Sequence, residues 1–320
     1  MVHSPPISPL QPWLAPLAGY SNLPFRLLCR EHGCAVAVTE MVSAKGLLLG
    51  SSGTADLLAT CPEDHPLVVQ LFGAEPEVLG EATARLRQQG FGWFDLNAGC
   101  AVPKVTKTGA GAALLRDPGR ISAVVEAMVA AAGRNAVGVK LRLGWNETQH
   151  TYLDIARRLE AVGVGWITLH PRTASQGFSG TARTEHLRRL KAAVPLPVLA
   201  SGDLFTAEDA VRCLETTGVD GVMFARGAMG DPAIFERFTA LMRGTPPPTR
   251  DLASIRACIT RLAALHHRWG SPRQGLLQLR TLAPRFFRGM PQARAIRTRL
   301  IHCSTWEEAL DCIADPSEES

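Results

Sequence analysis

The sequence predicts a (β/α)8 TIM barrel followed by a small all-α C-terminal domain, and three features of the chain support this prediction. Eight short apolar runs alternate with amphipathic stretches through about the first 235 residues. A proline-rich segment at residues 244–249 then interrupts the alternation. Beyond it, residues 251–313 show helical patterns and no strand candidate. We therefore predict a catalytic barrel domain at residues 1–243 and a helical domain at residues 250–313.

The candidate strands are residues 13–18, 35–39, 67–72, 93–96, 137–141, 166–170, 197–200 and 221–224. The amphipathic stretches between them include residues 77–89, 120–132, 152–161 and 207–216. Short apolar runs that end in polar or glycine-bearing turns are typical of buried parallel strands. An open doubly wound sheet is the alternative, but it usually carries a G-x-G-x-x-G fingerprint after its first strand. The first run ends instead in Ala15-Pro16-Leu17-Ala18-Gly19, which favours the barrel.

Composition excludes several classes of protein. Hydrophobic residues make up 46% of the chain and charged residues 20%, which is typical of a globular protein rather than a disordered one. No stretch approaches the roughly 20 apolar residues of a membrane span, and the N-terminal residues do not resemble a secretion signal. The 8 cysteines form no C-x-x-C pair and no His/Cys ligand spacing. We expect a cytoplasmic protein with reduced thiols, no metal and no membrane partner.

The positive charge is concentrated near the C-terminus. Residues 1–240 contain 22 Lys and Arg against 22 Asp and Glu, whereas residues 241–320 contain 12 basic residues, all arginine, against 7 acidic ones. The planar guanidinium group binds phosphate oxygens in a forked geometry, so an arginine-rich helical surface favours a phosphate-bearing partner. The alternative is a solvated helical face without a partner.

Polar residues follow most of the candidate strands, where a (β/α)8 barrel carries its reactive groups. They are Glu40, Gln70, Asn97, Cys100, Lys140, Arg142, His170, Arg172, Ser201, Asp203 and Arg226. Glycine-bearing turns after the seventh and eighth strands, at Gly202 and Gly227, match the usual phosphate site of this fold. Arg226 would add a charge-assisted fork, so the sequence predicts a phosphate-bearing cofactor.

Two of these side chains fit a flat cofactor ring lying across the barrel mouth. Gln70 and Lys140 could hydrogen-bond the polar edge of the ring, and an ammonium group there would stabilise negative charge on a reduced flavin. The alternative for Lys140 is a buried salt bridge with Glu40.

Cys100 lies in the glycine-bearing loop Asp95-Leu-Asn-Ala-Gly-Cys-Ala-Val-Pro-Lys-Val105. A cysteine can serve as a nucleophile, as an acid or as inert filler. The polar loop and the nearby Lys104 and Lys107 favour a reactive role for this one. The other cysteines with apolar surroundings are predicted to lie in the core: Cys29, Cys34, Cys213 and Cys258.

At these residues the sequence resembles the flavin-dependent tRNA-dihydrouridine synthases. The stretches that carry the resemblance run from residue 14 to about residue 297: LAPLAGYSNLPFRLLCREHG, TEMVSA, VVQLFG, DLNAGCAVPKVTKTGAGAALL, VKLRLGW, TLHPRT, SGDLFTAEDA, DGVMFARGAMGDPAIF and, more weakly, LRTLAPRFFRG. The Asn-x-Gly-Cys loop and the ordered series that follows it are specific, whereas Gln, Lys and His at successive strand ends are shared by many flavin barrels.

The resemblance implies a reaction. NADPH reduces a bound FMN, the flavin N5 passes a hydride to C6 of a uracil in tRNA, and the cysteine that matches Cys100 protonates C5. The target uracil has to leave its stack to lie on the flavin. The C-terminal helices resemble the family's tRNA-binding domain, which would hold tRNA phosphates with an affinity that falls as salt rises.

The resemblance also assigns residues. The positions that match cofactor contacts are Pro16, Leu17, Ala18, Gln70, Lys140, His170, Ser201, Gly202, Asp203, Ala225 and Arg226. The positions expected to face the substrate are Asn97 and Arg142 in the barrel, with Arg280, Arg285 and Arg288 in the helical domain.

The sequence departs from the family pattern at four places. Ala101 replaces the usual Pro after the cysteine, and Ser201 replaces the usual Asn. Thr281-Leu282 replaces a Lys-His pair, and Arg285 replaces an aromatic residue. Two other functions stay open at this point. One is an FMN barrel oxidoreductase that acts on a free small molecule, similar to dihydroorotate dehydrogenase. The other is a tRNA-binding protein that has lost catalysis.

Overall fold

The computed structural model describes residues 4–290 and 293–313. The strands are β1 (Trp13–Leu14), β2 (Val36–Val38), β3 (Val42–Ser43), β4 (Leu67–Phe72), β5 (Trp93–Ala98), β6 (Val137–Arg142), β7 (Gly144–Asn146), β8 (Gln149–His150), β9 (Trp166–His170), β10 (Val198–Ala200) and β11 (Gly221–Phe224). The helices are α1 (Leu23–Glu31), α2 (Ala44–Leu48), α3 (Thr54–Leu58), α4 (Pro76–Gln88), α5 (Pro103–Thr106), α6 (Pro118–Ala132), α7 (Tyr152–Val162), α8 (Glu185–Ala193), α9 (Ala207–Thr217), α10 (Arg226–Gly230), α11 (Ile234–Met242), α12 (Leu252–Trp269), α13 (Pro272–Phe286), α14 (Ala293–Leu300) and α15 (Trp306–Asp311).

Eight parallel strands close into a barrel, which confirms the predicted fold class. Their order around the barrel is β1, β2, β4, β5, β6, β9, β10 and β11, and β11 pairs with β1 to close the ring. Two small additions were not predicted. The short strand β3 pairs with the end of β4, and β7 forms an antiparallel hairpin with β8. Strands of two or three residues are too short to produce a recognisable periodicity in the sequence.

The barrel interior has its own apolar core. Inward-facing side chains fill it: Trp13, Ala15, Val36, Val38, Val68, Trp166, Leu199 and Met223. The rings of Trp13 and Trp166 lie 5.6 Å apart. Gly138 on β6 makes room for this pair, because a Cβ at position 138 would overlap the Trp166 indole. The larger core lies between the strands and the surrounding helices. These side chains fill the interior below the mouth of the barrel, as is usual for this fold.

The first strand is shorter than predicted, because proline interrupts its ladder. The Ala15 N–H still donates to the Phe224 carbonyl at 2.8 Å, but Pro16 has no N–H to continue the pattern. The chain then turns, and the Leu17 carbonyl accepts hydrogen bonds from the N–H groups of Tyr20 and Ser21. Residues 15–18 consequently form a loop at the barrel mouth.

A helical region, α12 to α15, follows the barrel and packs against it. Helix α12 begins with a capping box between Asp251 and Ser254 and lies along α1. An ion pair between Arg261 and Glu31, at 2.6 Å, joins the same two helices. None of the helices in residues 4–290 and 293–313 is long and apolar enough to cross a membrane.

Candidate active site

A cavity of about 510 Å³ lies at the carboxyl ends of the barrel strands. Most of the site residues predicted from the sequence line it: Pro16, Leu17, Ala18, Asn97, Cys100, Lys140, Arg142, His170, Ser201, Gly202, Asp203, Ala225 and Arg226. Gln70, Arg280, Arg285 and Arg288 do not.

The strand registers explain why these side chains meet. Alternate residues of a strand face the same side of the sheet, so Lys140 and Arg142 of β6 both point into the barrel. On the neighbouring strands, Asn97 pairs with Lys140 and His170 pairs with Arg142. The residues form one ring of polar groups above the apolar interior.

Two turns at the mouth form a cradle for an anion. Gly202 has φ of +105°, and a Cβ there would lie 2.5 Å from the His170 ring. The next residue, Asp203, also has a positive φ of 54°. Within the described chain, the backbone N–H groups of Gly202, Asp203 and Ala225 donate to no acceptor. Successive free N–H groups in such a turn are suited to binding phosphate oxygens.

Asp203 holds two arginines beside the cradle. Arg172 donates to both carboxylate oxygens, at 2.8 and 2.6 Å, and Arg226 donates to one of them at 2.8 Å. Burial works to raise the pKa of the Asp203 carboxyl, but these hydrogen bonds and the one from the Ala182 N–H hold it below its usual value. Part of the Arg226 fork is therefore already used by Asp203.

The Lys140 ammonium group faces the cavity without a close partner. No hydrogen bond or ion pair joins Nζ to any residue that the structure describes. Glu40 instead accepts the Gly19 N–H at 2.6 Å, so the alternative salt bridge is not formed. Burial and the neighbouring Arg142 lower the pKa of Lys140 to about 8, against the opposing effect of Asp95. The group is still largely charged at neutral pH.

His170 is held neutral by its surroundings. Burial lowers its pKa far below the usual value, and the positive charges of Lys140 and Arg142 lower it further. Nη1 of Arg172 lies 3.2 Å from Nε2 of His170. A guanidinium group only donates, so Nε2 accepts and Nδ1 carries the proton.

The Cys100 loop is fixed from two sides. The N–H groups of Gly99 and Cys100 donate to Oδ1 of Asn97 at 3.2 and 2.9 Å. Nε of Arg142 donates to the Gly99 carbonyl at 2.8 Å, and Nη1 of the same side chain binds the carbonyls of Thr173 and Gly177. Arg142 therefore ties two loops together and has less freedom to bind a substrate than the sequence suggested. The half-buried Cys100 side chain itself lines the cavity.

Gln70 lies beneath the cavity rather than on it. It was grouped with the residues at strand ends, but β4 ends at Phe72, as predicted, so Gln70 lies two residues before the end of the strand. The side chain is fully buried, donates to Asp95 Oδ2 at 2.6 Å and accepts from Asn97 Nδ2 at 2.8 Å. Gln70 does not line the cavity, and its amide contacts Asp95 and Asn97; its contact with a cofactor ring stays a prediction.

Sequence reasoning missed three residues that shape the mouth. Met41, Phe178 and Phe205 all line the cavity. Phe178 is 64% exposed, and the Arg226 guanidinium lies 4.9 Å above its ring and 4.7 Å from that of Phe205. The signal for Phe178 was an aromatic residue within the glycine-bearing loop Gln-Gly-Phe-Ser-Gly.

A second, arginine-rich groove adjoins this cavity and has a volume of about 880 Å³. It shares Phe205 and Arg226 with the first cavity and continues to the helical region. Its arginines are Arg226, Arg237, Arg250, Arg285, Arg288 and Arg297. Arg280 is not among them, because its Nη2 donates to the Cys303 carbonyl at 2.6 Å inside the helical region. Across residues 4–290 and 293–313, no cluster of side chains is suited to hold a metal ion.

Comparison with known proteins identifies the family. A family model described as dihydrouridine synthase (Dus) matches residues 13–318. A Mycobacterium tuberculosis (strain CDC 1551 / Oshkosh) protein named probable tRNA-dihydrouridine synthase is 36% identical over 314 residues, which cover 94% of this chain and 80% of the relative. A Xanthomonas campestris pv. campestris protein named tRNA-dihydrouridine synthase B is 34% identical over 306 residues, 94% of this chain and 91% of the relative.

A solved structure of morphinone reductase superposes with a TM-score of 0.53 at 13% identity, over 76% of this chain and 88% of that one. This last likeness concerns the fold alone. The two close relatives and the family match over nearly the whole length establish more: the chain belongs to the dihydrouridine synthase family of oxidoreductases.

Proposed function

We propose that this protein reduces uridines in tRNA to 5,6-dihydrouridine, with bound FMN as cofactor and NADPH as reductant, in the cytoplasm. The observation that carries the proposal is the combination, in one barrel mouth, of an anion cradle, an unpaired ammonium group and the Cys100 thiol. The names of the relatives support the same reaction.

The donor set of the cavity fits FMN. The free N–H groups at Gly202, Asp203 and Ala225, with the remaining nitrogens of Arg226, would hold the phosphate. The loop at residues 16–18 would lie along the ring, and Lys140 and His170 would meet its polar edge and ribityl chain. When bound, the flavin supplies the hydride that reduces C6 of the uracil.

Lys140 and His170 supply complementary groups to that cofactor. The Lys140 ammonium group would stabilise negative charge on the reduced ring. The neutral His170 offers one ring N–H at Nδ1, since its Nε2 already accepts from Arg172. Asp203 and Arg172 would fix the orientation of Arg226.

Cys100 would deliver the proton that completes the reduction. Addition of hydride at C6 leaves negative charge over C5 and the C4 carbonyl, and a thiol is acidic enough to protonate C5. The loop that carries Cys100 is fixed by Asn97 and Arg142, which would keep the thiol in one position. Asn97 would also present its side chain to the substrate base.

The arginine groove would bind the tRNA backbone. Arg285 and Arg288 are exposed on the helical region and line the groove that opens into the catalytic cavity. Phosphates along this groove would bring a uridine, turned out of its stack, to the mouth of the barrel. We accordingly propose that residues 250–313 form the tRNA-binding domain and residues 1–243 the catalytic domain. Arg280 would contribute by holding the helical region together.

The proposal can be tested with purified protein and with cells that lack it. We expect noncovalent FMN in the purified protein, bleaching of its absorption by NADPH, and loss of dihydrouridine from at least one tRNA position in the deletion strain, restored by the wild-type chain. Turnover of free pyrimidines without tRNA would favour a small-molecule oxidoreductase. Binding of tRNA without NADPH oxidation would favour a protein that has lost catalysis.

A further inference from the structure

A line of hydrogen bonds runs beneath the cavity from a buried carboxylate to the Cys100 loop. Gln70 Nε2 donates to Asp95 Oδ2 at 2.6 Å, and Asn97 Nδ2 donates to Gln70 Oε1 at 2.8 Å. The Cys100 N–H then donates to Asn97 Oδ1 at 2.9 Å. The two ends of the line are thus connected through two side-chain amides.

The sequence produces this line through strand alternation. Asp95 and Asn97 are two residues apart on β5, so both point into the barrel while Phe94 and Leu96 join the outer core. Gln70 is the register partner of Asp95 on β4, which brings its amide between the two inward-facing side chains of β5.

The donors and acceptors along this line of hydrogen bonds follow one another in only one direction. In its ionised form the Asp95 carboxyl accepts hydrogen bonds and cannot donate them, so the NH₂ group of Gln70 then faces Asp95. The oxygen of Gln70 then faces Asn97, whose NH₂ group turns toward it. This orientation leaves Oδ1 of Asn97 as the acceptor for the Cys100 N–H. The opposite orientation of either amide would set two acceptors or two donors against each other.

The buried position of the Asp95 carboxylate is energetically unfavourable. Asp95 is 1% exposed, and within the described residues its Oδ1 has no hydrogen-bond partner. Burial raises the pKa of Asp95 to about 7, although the hydrogen bond from Gln70 and the charge of Lys140 oppose this. A buried, half-satisfied carboxyl destabilises a fold, so packing alone does not account for this residue.

We propose that Asp95 is a positioning residue for Cys100 and acts through Gln70 and Asn97. By fixing the orientation of the Gln70 and Asn97 amides, Asp95 keeps Oδ1 of Asn97 in place. This oxygen accepts the hydrogen bonds that hold the backbone of the Cys100 loop. The consequence for proton delivery rests on the function proposed above, whereas the effect on the loop does not. A competing explanation is that Asp95 acts by its charge on Lys140.

The test measures the reactivity of Cys100 in the purified flavin-loaded enzyme without tRNA. Iodoacetamide alkylation is followed by peptide mass spectrometry at Cys100, and Cys213, which is buried on α9, reports any general loosening. Asp95→Ala is expected to speed alkylation of Cys100 about threefold or more and to leave Cys213 unchanged. Gln70→Leu, which interrupts the same line at its middle with a side chain of similar size, is expected to have the same effect.

Three further variants separate the competing explanations: Asp95→Asn, Asn97→Ala and the double variant Asp95→Ala/Asn97→Ala. Asp95→Asn removes the charge but keeps an oxygen that can accept from Gln70, and the N–H groups of Gly99 and Cys100 still require Oδ1 of Asn97 as their acceptor. The orientation of both amides is then kept, so alkylation of Cys100 is expected to stay at the wild-type rate. The double variant Asp95→Ala/Asn97→Ala is expected to match Asn97→Ala alone, since residues of one line are not additive. A rate for Asp95→Asn equal to that of Asp95→Ala, or an additive double variant, would overturn the proposal in favour of a charge effect.

A parallel measurement connects the loop to the reaction. With prereduced enzyme and tRNA in a single turnover, Asp95→Ala is expected to form dihydrouridine about tenfold more slowly, and Asp95→Asn to form it nearly as fast as wild type. If the wild-type protein forms no dihydrouridine, the proposed function fails while the alkylation result still decides the role of Asp95. An unchanged alkylation rate in both Asp95→Ala and Gln70→Leu would reject the positioning role whatever the activity.

Discussion

The side-chain amide of Gln278 donates a hydrogen bond of 2.8 Å to the carbonyl oxygen of Tyr20. The same NH₂ group reaches the Gly19 carbonyl at 3.2 Å, and the side-chain oxygen faces Nε2 of His266 on α12 at 3.1 Å. Gln278 is buried on α13, and Tyr20 follows the loop that forms one wall of the cavity. One side chain of the helical region therefore binds directly to the segment that follows this wall.

Replacement of this glutamine tests the connection. Gln278→Ala leaves the carbonyl groups of Gly19 and Tyr20 without this donor, and we expect the free energy of unfolding to fall by about 0.5–1.5 kcal/mol. The measurement is urea unfolding of the full chain at pH 7. Gln274→Ala is the matched control, because Gln274 is exposed on the same helix. Equal midpoints for the two variants would show that the contact contributes nothing to stability.

The lowered pKa of Lys140 predicts a stability effect with a definite sign. Because the folded state binds this proton less tightly than the unfolded state, the charged lysine destabilises the apoprotein below pH 8, where both states are protonated. This destabilisation disappears as the pH rises toward the pKa of lysine in the unfolded chain, about 10.4. Lys140→Met should raise the unfolding free energy of the apoprotein by about 1–3 kcal/mol at pH 7, and by little at pH 10.

The same variant should bind FMN more weakly and be reduced by NADPH more slowly. Titration of apoprotein with FMN, followed by flavin fluorescence, measures the first effect. A variant that is less stable than wild type at pH 7, or one that binds and reduces FMN normally, would contradict the placement of Lys140 beside the cofactor.

Cys100 is expected to matter for proton transfer and not for binding. Cys100→Ala should keep its flavin, its oxidation of NADPH and its affinity for tRNA, yet form dihydrouridine at least about a hundredfold more slowly, as for loss of a positioned acid. Cys100→Ser should be similarly slow, since an alcohol is a much weaker acid than a thiol. Near-normal product formation by the serine variant would mean that Cys100 only packs the loop.

The arginine groove predicts a salt-dependent loss of tRNA binding. Replacing both Arg285 and Arg288 by Glu should weaken binding about tenfold or more and lower the slope of log K against log salt by about two. Reduction of the flavin by NADPH should be unchanged, because neither residue lines the catalytic cavity. Arg188→Glu, at an exposed position on α8, is the control and should bind tRNA like wild type. A double variant with an unaltered salt slope would place the tRNA elsewhere.

The sequence was sufficient for the barrel because its strands are buried and short apolar runs mark them clearly. The predicted run at residues 166–170 and strand β9 (Trp166–His170) coincide. The residues at which the strands end were harder to predict, since they depend on contacts with residues that are distant in the sequence. The first strand stops at Leu14 because of Pro16, whereas β5 continues past Leu96 to Ala98 in register with β6.

Within the site, the sequence indicated which residues meet but not what each one binds. Lys140 and Cys100 reach the cavity as expected, since both follow from strand alternation and from the loop after β5. Gln70 and Arg142 instead use their polar atoms on neighbouring protein groups, and a linear pattern contains no information on such partners. Phe178 was missed because a single exposed aromatic residue in a loop has no periodicity.

The shared carboxylate of Asp203 has a consequence for how an anion arrives. Two guanidinium groups repel each other. In the folded chain the Asp203 carboxylate holds Arg172 and Arg226 side by side, so folding supplies the free energy needed to bring these two charges together. An anionic ligand that enters the mouth therefore meets two positive charges that are already in position. The protein needs little rearrangement to bind it. Empty and loaded forms of this corner of the barrel should therefore superimpose closely, and the rate of association should depend on diffusion and ionic strength more than on a change of shape.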